Sequence, residues 1–187
     1  MYWNPNGKKV LFGSTHLDPG AIKKQKDEID FRSSGKKRRY SWDYDEHMDI
    51  FASPLNKTHP VRLTDALGYD AEAGYSPDGL KIVFCSTRSA YQDDLSAEEQ
   101  KLREIDLAYF GEIYIMNSDG SEQKRLTFSP GYDGGPFFSP DGTQIVWRRF
   151  DKSGARAEIY TMDCDGTNVQ QITDLGMMSW APFYHPT

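Results

Sequence analysis

A chain of 187 residues is long enough for one domain with a real core. Apolar residues make up 37% of it, mean hydropathy is negative and the net charge is −6. The sequence holds no apolar run of the length (about 18 residues) that a membrane span needs, and its acidic balance argues against nucleic acid as the partner, because phosphate binding needs a basic face. Aromatic residues reach 13%, which suits a β-rich chain whose strands bury rings. The stretch Met1-Tyr2-Trp3-Asn4-Pro5 shows neither the charged nor the apolar region of a signal peptide. Cys85 and Cys164 lack any metal or redox spacing and are expected to be free thiols.

The first predicted element is a tight turn at Asn4-Pro5-Asn6-Gly7 leading into a strand at Lys9-Val10-Leu11-Phe12. A long insertion, residues 15–47, follows. Asp18-Pro19 reads as an N-cap and first helical residue and Ser33-Ser34-Gly35 as a stop, so a helix is expected over 19–32, laid on the rim through Ile22 and Ile29. The basic run Lys36-Lys37-Arg38-Arg39 then meets the aromatic and acidic stretch from Tyr40 to His47. Strands are expected at 48–52 and 60–64. The turn returns as Ser76-Pro77-Asp78-Gly79, followed by a strand through Ile82-Val83-Phe84. A second insertion, residues 89–111, carries a capping box, Ser96-Ala97-Glu98-Glu99, that starts a helix reaching about Ala108, with Leu102 and Ile105 as its apolar side. Strands at 112–116 and 123–127 flank Asn117-Ser118-Asp119-Gly120. The last full unit has strands at 135–138, 143–149, 158–162 and 169–173, with turns at Ser139-Pro140-Asp141-Gly142 and Asp163-Cys164-Asp165-Gly166. A shortened copy, Pro182-Phe183-Tyr184-His185-Pro186, closes the chain.

Three markers share one register. Ser76, Ser139 and His185 are spaced by 63 and 46 residues, and so are Ile50, Ile113 and Ile159, and Thr64, Thr127 and Thr173. The unit is therefore 46 residues, enlarged by 26 in the first copy and 17 in the second. Four short strands at a period of about 40–45 residues are the signature of an all-β propeller blade. The blades span 1–64, 65–127 and 128–173, and 174–187 supplies the first strand of a further one. Both insertions fall between second and third strands, on one rim. Propellers close with about 4–8 blades, so the chain is expected to be part of a larger propeller. Closure by self-association is the alternative.

The pattern Pro136-Phe137-Phe138-Ser139-Pro140-Asp141-Gly142, then Ile145-Val146-Trp147, then Glu158-Ile159-Tyr160-Thr161-Met162 before Asp165-Gly166, with Arg125-Leu126-Thr127 closing the preceding unit, resembles the TolB-type β-propeller repeat, also called the WD-like Pro-Asp repeat. The resemblance covers nearly all of the chain outside the insertions. The first unit departs from it at Asn4-Pro5-Asn6-Gly7 and after Ala52. It implies a bacterial propeller, commonly exported to the periplasm or secreted, and a binding or scaffold role toward a protein or peptide. It also implies an alternative. Such repeats are often joined to zinc aminopeptidase or serine peptidase domains, and the propeller would then position substrate for a catalytic domain elsewhere.

No catalytic motif, phosphate loop or cofactor signature is present. Two candidate sites remain. The first is the rim patch Arg38, Arg39, Tyr40, Trp42 and Tyr44, residue types that make interface hot spots. In the same insertion His16, Asp18, Asp43, Asp45, Glu46 and His47 have the chemistry for a divalent ion without a defined ligand spacing. The competing reading is ion pairing between Lys36–Arg39 and the acidic stretch. The second candidate is the channel mouth. Gly68-Tyr69-Asp70 and Gly131-Tyr132-Asp133 are equivalent in the repeat, which places Tyr69, Asp70, Glu72, Tyr132 and Asp133 near the axis, where they would hold a cation or a basic peptide end. Capping of local turns is the plainer role for these aspartates. Arg88 is expected to bond one blade to the next.

Overall fold

The structure, a computed structural model, describes residues 2–37, 44–56, 59–92 and 94–185. Its strands form three four-stranded antiparallel sheets, each in simple sequence order. The first holds β1 (Tyr2–Trp3), β2 (Lys9–Ser14), β3 (Asp49–Pro54) and β4 (Val61–Arg62); the second holds β5 (Asp70–Tyr75), β6 (Lys81–Ser86), β7 (Glu112–Asn117) and β8 (Lys124–Arg125); the third holds β9 (Asp133–Phe138), β10 (Gln144–Phe150), β11 (Ala157–Asp163) and β12 (Gln170–Gln171). This is a partial propeller of three blades. Helix α1 (Ala21–Ser33) lies between β2 and β3, and α2 (Ala97–Ile105) between β6 and β7, so both insertions leave at the end where the inner strands β5 and β9 begin.

Alternation along the strands explains how the middle blade serves both neighbours. Ile82 and Phe84 of β6 join Leu11, Ile50 and Met116 in one core layer, while Val83 joins Ile113, Ile145, Trp147 and Met162 in the next. Both faces of this blade are therefore dry, and Phe84, Ile82, Val83 and Trp147 have no solvent-accessible surface.

The Ser-Pro-Asp-Gly turns are closed by their own side chains. In one, the Ser139 Oγ accepts from the Gln144 N–H and donates to Asp141 Oδ1, 2.6 Å away; Ser76 and Asp78 repeat this. The fourth strands are only two residues long, shorter than the five expected. The cause is a threonine. Thr64, Thr127 and Thr173 each use Oγ1 to accept the backbone N–H of Ile50, Ile113 and Ile159 at 2.9 Å. A side chain thus takes the place of the next ladder carbonyl, and the strand turns away.

The helices differ from expectation in detail. Ser96 and Glu99 form the capping box of α2, but the helix stops at Ile105. Asp106 then caps a separate 3-10 turn, Leu107–Phe110, because its side chain accepts from the Ala108 N–H. Helix α1 begins later than expected, after Gly20, and Asp18 bonds the Gly20 N–H before the helix rather than capping it. Ile22 and Ile29 do not rest on the rim: they are 84% and 54% exposed. Among the described residues no helix is long and apolar enough to cross a membrane.

Candidate functional site

Each blade neutralises a carboxylate where its third strand begins. Asp49 pairs with Arg62 at 2.6 Å and Glu112 with Arg125 at 2.6 Å, while Thr64 and Thr127 donate to the same carboxylates. In the third blade Gln171 stands in the arginine's place, and Glu158 accepts instead from Thr173 and from the Leu175 and Gly176 N–H groups. The inner strands repeat the device. Asp70 pairs with Arg88 at 2.6 Å, and Asp133 takes both arms of Arg149 at 2.8 and 2.7 Å. Both aspartates have no accessible surface. Burial pushes both carboxyl pKa values up, against the pull of the arginines. These carboxylates hold blades together internally and are not presented to an axial ligand. Arg88 likewise works within its blade, bonding Asp70, Ser86 and Gln123. The Gln123 amide, not Arg88, reaches the neighbouring blade at the Leu63 carbonyl.

Glu72 behaves differently. It sits at a bulge in β5 in the left-handed region, φ 55°, as do its repeat equivalents Gly135 at 62° and Ala181 at 51°. A glutamate there is strained where glycine is not. Its carboxylate crosses to the next blade: Oε2 accepts from the Tyr132 hydroxyl at 2.8 Å and the Gly135 N–H at 2.7 Å, and Oε1 accepts from Arg148 at 2.8 Å. The Tyr132 ring is slotted between Gly111 and Gly134, where any Cβ would collide with it. Arg148 is 6% exposed and lies over Trp180, 4.2 Å from the ring centre. The repeat places Cys85 and Gly13 at the Arg148 position, so a large cation stands where the other blades have small residues. That departure was the available signal for Arg148, which motif reading passed over.

Around this pair opens a cavity of about 410 Å³. Its walls come from both insertions, through Tyr44 and through Asp106 and Tyr109, from the third blade, through Phe150 and Asp151, and from the segment after that blade, through Trp180. Tyr44 stands edge-on to Tyr69 at 5.3 Å and tilted to Tyr132 at 5.9 Å. Burial pushes the Tyr44 and Tyr132 hydroxyl pKa values up. Of the mouth residues expected from sequence, Glu72 and Tyr132 line this cavity, Tyr69 is buried beside it, and Asp70 and Asp133 are sealed beneath.

In the first insertion, Arg38, Arg39, Tyr40, Trp42 and Asp43 lie outside the described residues. Of the rim patch only Tyr44 is placed, at the cavity. Among the described residues Asp18 and Asp45 are paired with Lys24 of α1, which lies 2.9 Å from both. An ammonium thus occupies the position a divalent ion would need. The ion pair holds the Asp18 carboxyl below the usual range. His16 bonds Ser14 and lies tilted against the Phe51 ring, and no group of three metal-ligating side chains forms among the described residues.

No family model matches the chain. It is 31% identical over 115 residues to an uncharacterized protein of Agrobacterium fabrum, covering 61% of this chain and 31% of that protein. It is 28% identical over 166 residues to a TolB homolog of Chlorobium chlorochromatii, covering 75% of this chain and 32% of that protein. The chain thus spans about a third of the length of these curated relatives. A solved TolB structure from Agrobacterium tumefaciens superposes with a TM-score of 0.64 at 24% identity, over 99% of this chain and 53% of that one. By repeat, sheet topology and relatives, the three blades form a partial propeller similar to those of the TolB-type β-propeller family.

Proposed function

We propose that the protein is a non-enzymatic binding module that engages a protein or peptide at the mouth where its two insertions meet, and that it works in the bacterial envelope as its TolB-like relatives suggest. The observation that supports this most is the cavity itself, built by residues of both insertions around Glu72, Tyr132 and Arg148. The buried carboxylates of the blades are matched with arginine or threonine, which suits a scaffold rather than acid–base chemistry. Tyrosine and tryptophan beside an arginine are the residue types that dominate interface energetics. The rim residues Arg38, Arg39, Tyr40 and Trp42 closely precede Tyr44 in sequence and extend the proposed surface.

Capture from an envelope extract by the immobilised protein tests this. Tyr109→Ala, and separately Arg39→Ala with Trp42→Ala, are expected to reduce the captured partner strongly, while Thr143→Ala on the opposite rim leaves it unchanged. Equal capture by all of these variants would remove the mouth as the binding surface.

A further inference from the structure

The charge around the mouth is unequal. Glu72 and Arg148 cancel each other in a direct pair. Two further carboxylates, Asp106 and Asp151, line the same cavity, and neither forms a salt bridge among the described residues. Their hydrogen bonds are local. Asp106 accepts from the Ala108 N–H, and Asp151 accepts from the Ser153 N–H and hydroxyl. Much of the remaining wall is aromatic, from Tyr44, Tyr109, Phe150 and Trp180. Trp180 is 57% exposed although Arg148 already covers one of its faces. Aromatic walls with uncompensated carboxylates suit a cation, because the ring quadrupole and the carboxylate attract the same charge. The cavity's own Arg148, stacked on Trp180 and paired with Glu72, is an internal example of that arrangement.

We infer that this cavity receives a basic side chain, lysine or arginine, from the bound peptide, with its charge set against Asp106 and Asp151 and its stem along Tyr109 and Phe150. This rests on the peptide-binding reading above and specifies what the mouth selects. It also relocates the expected cation preference. The selecting groups are not Asp70 and Asp133, which are buried and paired, but two aspartates supplied by the α2 insertion and by the loop after β10.

Four acetylated and amidated pentapeptides of glycine test it, with a central lysine, arginine, norleucine or glutamate, titrated against the protein while backbone amide resonances are followed. The lysine and arginine peptides are expected to shift the amides of residues 106–109 and 150–154 and to bind about tenfold more tightly than norleucine. The double variant Asp106→Asn and Asp151→Asn keeps both capping oxygens and should level that difference. Raising salt from about 50 to about 500 mM should narrow it too. Norleucine or glutamate binding at these amides as tightly as lysine would overturn the cation reading and leave peptide binding at the mouth standing. Absence of binding by all four would overturn both.

Discussion

The two ends of each blade use carboxylates in opposite ways. At the turn end, Asp78, Asp119, Asp141 and Asp165 stay at the surface and accept from the serine, threonine or backbone of their own turns, which holds their carboxyl pKa values below the usual range. At the mouth end, Asp49, Asp70, Glu112 and Asp133 are drawn inside and matched with arginine. In the second and third blades the turn end repeats faithfully and is architecture. The mouth end is where the repeat breaks, at Arg148 against Cys85 and Gly13, at Glu72 against Gly135 and Ala181, and in the two insertions. Specificity is expected where a repeat protein stops repeating.

The sharpest way to break this comparison is to remove a carboxylate from each end. Asp133→Ala leaves the mostly buried Arg149 guanidinium without its carboxylate and is expected to cost about 3 kcal/mol in urea unfolding. Asp141→Ala loses only exposed turn contacts and should cost clearly less. Equal losses would erase the distinction. Next in size is the link between blades. A double-mutant cycle on Glu72→Ala and Arg148→Ala is expected to show about 0.5–3 kcal/mol of coupling, and additive losses would mean that this pair does not join the blades.

A smaller effect concerns pH. Burial pushes the Glu112 carboxyl up to about 7 from an ordinary 4.5, with Asp133 adding to the rise. The folded protein therefore keeps a proton there that the unfolded chain has already lost. Its contribution to stability is complete below about pH 4.5, is lost as pH rises toward 7, and levels off above. Glu112→Gln should flatten that decline, and an unchanged pH profile would contradict it. The turn aspartates act in the other direction, losing stability only at lower pH, so the variant isolates the glutamate. Least visible is Cys85, wholly buried with its thiol pKa pushed well up. It should resist thiol reagents until the protein unfolds, and rapid labelling in the native state would show that this blade interface opens.

Much of the fold was legible because it is local and repeated. Ser-Pro-Asp-Gly turns and the capping box at Ser96 depend on neighbours a few residues apart, the Ile–Thr pairs, 14 residues apart, recur in every blade, and the structure places them as the spacing implied. The fourth strands were overestimated because a threonine side chain replaces a ladder bond, which strand propensity does not register. The axial aspartates begin the inner strands, and their arginine partners lie 16 and 18 residues away across a hairpin. Periodicity alone cannot show that such a charge is already spent. The cavity was less legible still, because Tyr44, Asp106 and Trp180 meet only once three blades and both insertions are packed together.

The most direct test of the central claim is photo-crosslinking from the two ends. A benzoylphenylalanine replacing Tyr109 at the mouth, and in a second protein Thr143 at the turn end, would be irradiated in an envelope extract. The account predicts a discrete partner adduct from position 109 and none from 143. The same adduct from 143, with none from 109, would contradict it.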